Sequence, residues 1–155
     1  MHITHDDINT PNQKETIDVN KLIKALDKDE NAQLLELTKS KIKAHKNDIL
    51  QQLQLSREEL KTFHYKLRDY RYVSDLSNLN YGAYIRWIRL TDPENIRLTN
   101  GGLVLDMKIY PGGLVICCKN NRGRIFQFKF DECLIFQKLS DQERLLLEIV
   151  EYLNK

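Results

Sequence analysis

Residues 103–130 read LVLDMKIYPGGLVICCKNNRGRIFQFKF, and the spacing within this run decides the fold. Leu103, Leu105, Met107 and Ile109 alternate with Val104, Asp106 and Lys108. A period of two sets successive side chains on opposite faces of a half-buried strand. Tyr110-Pro111-Gly112-Gly113 turns the chain, because proline fixes one backbone angle and glycine tolerates a positive one. Leu114 to Lys119 and Arg124 to Phe130 then form a hairpin across Asn120-Asn121-Arg122-Gly123, with Phe126, Phe128 and Phe130 facing one way. Gly101-Gly102 and Gly112-Gly113 both read as hairpin turns. Neither pair has the strand–loop–helix setting, or the Lys-Ser/Thr, of a phosphate loop.

Outward from this run the pattern continues on both sides. Tyr84 to Leu90 is a strand, Asp92-Pro93-Glu94-Asn95 a turn, and Leu134 to Lys138 a fifth strand. The loops are too short for parallel crossovers, so pairing is antiparallel. Five short strands in so few residues predict a small five-stranded antiparallel β-barrel of SH3-like or Sm-like type. Ser140-Asp141-Gln142-Glu143 is a capping box opening a C-terminal helix with Leu145, Leu146, Ile149, Val150 and Leu153 apolar.

Before the strands the period is helical. Ser56-Arg57-Glu58-Glu59 is a second capping box, flanked by Leu55 and Leu60 as a hydrophobic staple. Leu60, Phe63, His64, Leu67 and Tyr70 make one stripe, and the helix is expected to end near Tyr72 or Val73. Upstream, a helical pattern carries Leu34, Leu35, Ile42, Ile49, Leu50 and Leu53, and a short helix covers about 18–27. Residues 1–16 are polar and read as a flexible tail. The expected organisation is α+β: a tail (1–16), a helical region (17–73), and a β-barrel module with its C-terminal helix (80–155).

Composition narrows the function classes. Of 155 residues, 41% are hydrophobic and 30% charged, which suits a globular chain rather than a disordered one. No apolar run is long enough to span a bilayer and the N-terminus lacks a signal pattern, so an intracellular, cytoplasmic protein without membrane contact is expected. Three cysteines, two of them adjacent (Cys117 and Cys118), do not make a disulfide framework and read as small core residues. His2, His5, His45 and His64 stand at no ligand spacing from them, so neither a metal nor another cofactor is expected. Net charge is +2, but residues 1–79 carry ten Lys and three Arg, whereas residues 80–155 carry five Lys and six Arg. Arginine suits planar and phosphate contacts.

The run from about Tyr70 to Leu153 resembles a group of small proteins encoded by giant (nucleocytoplasmic large) DNA viruses. The resemblance is carried by Gly82-Ala83-Tyr84-Ile85-Arg86-Trp87-Ile88, Leu98-Thr99-Asn100-Gly101-Gly102, Cys118-Lys119-Asn120, Phe126-Gln127-Phe128-Lys129 and the run from Cys133 to Leu139. It implies a viral origin, in host cytoplasm or virion, with no established activity and no catalytic residue.

Three functional readings follow from the residues. The first is a nucleic-acid surface made by Tyr84, Arg86, Trp87, Arg89, Lys119, Arg122 and Arg124, with Arg97, Lys129 and Tyr110 nearby. Cations would track phosphates while Trp87 or Tyr84 stacks on a base of a single strand. Asp92, Glu94, Asp106, Asp131 and Glu132 dilute that potential. The second is a protein adaptor or assembly subunit, joining a partner or a second copy through apolar residues of the N-terminal helices (Leu34, Leu35, Leu37, Leu50, Leu53, Leu55). The third and most remote is a magnesium-dependent nuclease, from Asp92 followed by Asp106-Met107-Lys108, with Asp106 and Lys108 on one strand face. A non-enzymatic binding module is the expectation.

Overall fold

The computed structural model describes residues 38–154. The tail, the helix over 18–27, and Leu34, Leu35 and Leu37 lie outside them. Lys39–Arg144 forms one compact unit.

Two helices open it. α1 (Lys39–Gln51) buries Ile42, Lys46 and Leu50, four residues apart on one face. After α1 the chain turns through Gln54, which holds a left-handed φ of 56°. α2 (Arg57–Lys66) starts on the expected capping box. The Ser56 hydroxyl accepts from Glu59 N at 3.2 Å and Ser56 N donates to the Glu59 carboxylate at 3.3 Å. Its C-terminal end is held from α1, where Lys46 Nζ donates to the Leu67 carbonyl at 2.8 Å. Burial pushes the Lys46 ammonium pKa down, against the opposing field of Asp69.

α2 stops earlier than its stripe suggested. Tyr70–Val73, read as the last helical turn, is instead a strand, β1. Tyr70-Arg71-Tyr72-Val73 is aromatic and β-branched, a composition that suits a pleated, half-buried surface. Phe63, Leu67 and Tyr70 all occupy the core, so the three-to-four-residue spacing of a helical stripe persisted while the backbone changed.

β1 pairs antiparallel with β6 (Cys133–Lys138) and β6 with β2 (Tyr84–Arg89). The sheet continues through β3 (Gly102–Tyr110), β4 (Gly113–Lys119) and β5 (Ile125–Lys129). The order is β1-β6-β2-β3-β4-β5. The expected closed five-stranded barrel is thus corrected to an open sheet of six strands among the described residues, with antiparallel pairing as anticipated. Adding β1 supplies a partner for one side of β6 and moves the sheet edges to β1 and β5. The sheet nonetheless curls strongly. Trp87 on β2 stacks on Phe128 of β5 at 4.6 Å between centroids, although two strands lie between them in the order.

β6 is the hinge of the core because both its faces are covered. Leu134 and Phe136 join Ile88, Tyr70, Leu50, Phe63 and Leu67 on the side of α1 and α2. Cys133 and Ile135 join Ile85, Trp87, Val104, Ile116, Cys118 and Phe128 on the other. The helices before the strands therefore share a core with the sheet. Each fully buried large apolar side chain contributes about 1.5–3 kcal/mol.

Two strand-level expectations fail in β3. A β-bulge between Val104 and Asp106 breaks the alternation. Val104 is buried and Met107 packs on the same core, while Leu103 and Leu105 are exposed. Gly112-Gly113 does close a hairpin, with Tyr110 opposite Gly113. Gly101-Gly102 does not; it opens β3 where backbones crowd. A Cβ on Gly101, at φ +97°, would meet the Ile85 carbonyl and stand 2.7 Å from the Tyr84 ring.

A third helix, α3 (Asp141–Leu153), begins on the second capping box. Ser140 N donates to Glu143 Oε1 at 3.0 Å and Glu143 N to Ser140 Oγ at 3.1 Å. The other oxygen, Oε2, accepts from Arg71 Nε of β1 at 3.3 Å in a largely buried pair. From Leu145 onward the helix belongs to a second unit, in which Leu146, Leu147 and Val150 are buried and Leu145, Tyr152 and Leu153 exposed. Among the described residues no helix is long and apolar enough to cross a membrane.

Candidate nucleic-acid interface

The face of β3, β4 and β5 turned away from the Trp87 core is built by register. Residues directly opposite in an antiparallel ladder share a face. Tyr84 lies opposite Leu103, Leu103 opposite Lys119, and Lys119 opposite Ile125, a row across four strands. Further along stand Asp106, Cys117 and Gln127, then Lys108, Val115 and Lys129, with Tyr110 beyond Lys108. Leu103, Ile125 and Tyr110 are exposed here, and so are Lys108, Lys119 and Lys129.

The β4–β5 turn stands at the end of the first row. The Asn120 side chain accepts from both Arg122 N and Arg124 N at 2.9 Å, and Asn120 N donates to the Arg124 carbonyl at 2.9 Å. Gly123 N adds a bond to the Asn120 carbonyl at 3.0 Å, and Gly123 takes φ 81° to close the turn. One asparagine thus organises the backbone that carries two arginines. Lys119 Cε lies 3.8 Å from where a Cβ on Gly123 would be, so the lysine stem runs along the same turn.

Pairing separates the cations. Lys108 Nζ lies 3.8 Å from Asp106 and Lys129 Nζ 4.0 Å from Glu132, both as exposed pairs. Such pairs contribute about 0–1 kcal/mol and exchange readily with other anions. Among the described residues no carboxylate pairs with Lys119, Arg122 or Arg124.

Of the residues expected to form the surface, Tyr84, Arg86 and Lys119 share this side of the sheet, and Arg122 and Arg124 crown the turn beside Lys119. Tyr84 donates its hydroxyl to the Asn100 carbonyl at 2.8 Å, and Arg86 Nε donates to the Thr99 carbonyl at 2.8 Å. These bonds hold the Tyr84 ring and the Arg86 stem over Gly101. Trp87 is a correction. It is 4% exposed, stacked on Phe128 and edge-on to Phe126, so no base can reach its face. A strand alternates its side chains, and placing Tyr84 and Arg86 outward on β2 sends Trp87 inward. Arg89 follows Trp87 to that opposite face, exposed, opposite Cys133 in the register.

Sequence reasoning passed over Leu103 and Ile125 and treated Lys108 only as a nuclease lysine. The register that aligns Lys108 with Lys129 depends on the β3 bulge, which no residue type announces. Asp106 and Lys108 do share a face as expected. The Asp106 carboxylate, however, accepts from Met107 N at 2.8 Å and pairs with Lys108. Among the described residues no three His, Cys, Asp or Glu side chains gather as a metal site.

The cysteines are free thiols: Cys118 and Cys133 are buried and Cys117 half-buried on the opposite face. Burial pushes the Cys118 thiol up to about 12, with Cys117 adding to it, and the Cys133 thiol to about 11. His64, half-buried, binds Asn47 Oδ1 through Nε2 at 3.2 Å, and desolvation lowers its pKa, with Lys46 and Lys43 adding to the effect. No family model, curated protein or solved structure matches the chain.

Proposed function

We propose that the protein is a non-enzymatic module that binds single-stranded nucleic acid through the outer face of β3–β5 and the β4–β5 turn. The observation that carries this reading is the group of three cations, Lys119, Arg122 and Arg124, that have no carboxylate partner among the described residues, on a turn held by Asn120. Phosphates satisfy such a group, and Lys108 and Lys129 extend it along the face. Tyr84 at one end of the β3 column and Tyr110 at the other offer rings to bases, in place of Trp87. The exposed Leu103 and Ile125 supply apolar contact between them. Following the viral resemblance, we place this activity in the cytoplasm of an infected cell or in the virion.

The test is fluorescence anisotropy with labelled single-stranded RNA and duplex DNA across a salt series. Three phosphate contacts give a slope of log K against log salt of about −2 for a single strand. The R122A R124A variant is expected to remove about two thirds of that slope, since each lost contact takes about 0.7. Absence of binding at low salt sinks the reading. A protein partner is the second reading, favoured by Leu145, Tyr152 and Leu153, which stand exposed along α3.

A further inference from the structure

β5 ends the strand order, so one of its sides has no neighbouring strand among the described residues. The groups that point there follow from the hairpin. The bond from Asn120 N to the Arg124 carbonyl marks that pair as a hydrogen-bonded one. Such pairs alternate along an antiparallel ladder. Phe126 and Phe128 therefore direct their N–H and C=O to Cys118 and Ile116, and Ile125, Gln127 and Lys129 turn theirs outward. These three N–H and three C=O groups repeat at every second residue, as in an extended chain.

Two of the usual protections of an edge, a proline and a bulge, are missing. β5 has no proline and no bulge; the bulge of this sheet lies inside β3. Ile125 and Phe126 expose apolar surface at its start, one on each face. The charge around the edge is of one sign along its N-terminal part, where Arg122 and Arg124 precede Ile125. Lys129 closes the strand, and acids follow at Asp131 and Glu132. Glu132 forms an exposed pair with Lys129 at 4.0 Å that a partner carboxylate can replace. A second copy of β5 would bring the same cations to a shared edge, whereas an acidic strand meets them with opposite charge.

We infer that the free edge of β5 takes up an extended acidic segment of a partner protein as an added strand, by β-augmentation. Backbone bonds to Ile125, Gln127 and Lys129 give the pairing, and Arg122, Arg124 and Lys129 select acidic side chains. The pairing itself uses the backbone edge of β5, which nucleic-acid binding by the adjacent face does not. Arg122, Arg124 and Lys129 are shared between the two, so a phosphate chain and an acidic strand would compete for them.

The experiment uses the full chain and a capped synthetic peptide of about eight residues alternating Glu and Val, a length matched to a strand. A Lys/Val peptide serves as control, and amide hydrogen exchange is followed by NMR. At saturating acidic peptide, exchange at the N–H groups of Ile125, Gln127 and Lys129 is expected to slow on the order of tenfold, with less change at Phe126 and Phe128. The R124E K129E variant is expected to prefer the Lys/Val peptide. Binding that leaves those three N–H groups unchanged means contact through the arginine side chains alone and overturns the inference. So does slowing spread evenly over the sheet, or no binding of either peptide.

Discussion

Single residues decide what the outer face can be. Gly101 is the clearest case, because it combines a left-handed backbone with a close approach to β2. Its hydrogen lies where a methyl would strike the Ile85 carbonyl and stand 2.7 Å from the Tyr84 ring. Gly102 next to it is also tight, though less so, with its missing Cβ 2.8 Å from the Lys119 carbonyl. Gly101→Ala is expected to lower the unfolding free energy by about 2–4 kcal/mol, from steric displacement added to the positive-φ penalty. Urea unfolding measures it. Gly112→Ala is the control: its Cβ would meet only the Lys129 ammonium, at an ordinary contact distance of 3.9 Å, and a change of comparable size there would remove the explanation by close approach. Trp87 makes the complementary point. Its residue type suggested a stacking surface, but its parity on β2 sent it into the core. Residue type alone does not say which face a strand residue takes; the neighbours across the ladder do.

At the scale of elements, the buried contact between β1 and the start of α3 is the most exposed to test. Glu143 serves two partners at once, the Ser140 N–H of its own cap and the Arg71 guanidinium. Arg71 also donates to the Asn78 carbonyl at 2.8 Å, so it is fixed between three elements. Glu143→Gln preserves the cap chemistry but leaves a largely buried guanidinium without its counter-charge. A loss of about 3 kcal/mol is expected. Removing both charges with R71M E143Q is expected to recover part of that loss, which distinguishes the orphaned charge from lost packing. If the double variant is the sum of the two singles, the pair is not coupled.

The sequence was legible at this scale where local chemistry is self-contained. Both capping boxes, the Pro111-Gly112 hairpin and the antiparallel pairing were all readable from neighbouring residues. Two features were not. Tyr70–Val73 kept the helical spacing of its apolar residues, and only pairing with β6, some sixty residues away, makes it a strand. The β3 bulge was hidden because Leu103, Leu105, Met107 and Ile109 formed a clean alternation that the tertiary pairing overrode. The candidate site inherited both effects. Lys119, Arg122 and Arg124 were legible from the turn that holds them, whereas Lys108 and Lys129 came to one row only through the register.

The unit formed by Lys39–Arg144 carries two core layers on one sheet, and its thiols tie its stability to pH. Cys118 and Cys133 are both buried in the Trp87 layer, where desolvation holds their pKa values near 12 and 11 against an ordinary value of 9. Asp131 and Glu132 push Cys133 further up, and Arg89 opposes them. Above pH 9 the unfolded chain releases these protons while the folded one keeps them. The folded state then binds up to two more protons, and stability falls as pH rises, by at most about 2.7 kcal/mol per unit. Tyr70 and Tyr72, raised by burial, act in the same direction above pH 10. Lys46 acts oppositely, because its lowered pKa lets the folded state lose a proton first, and it contributes a gain of at most about 1.4 kcal/mol per unit below pH 10.5. Two thiols outweigh one ammonium, so a net loss on the order of 2 kcal/mol between pH 8 and 10.5 is expected. Urea titrations under reducing conditions at stepped pH measure the slope. Cys118→Ala with Cys133→Ala is expected to abolish the fall and leave the rise from Lys46 below pH 10.5, whatever its baseline stability, because alanine titrates in neither state. A wild-type profile with the same slope as that of the double variant would mean that the Trp87 layer admits thiolates, and that the curl of β5 over β2 opens to water at alkaline pH.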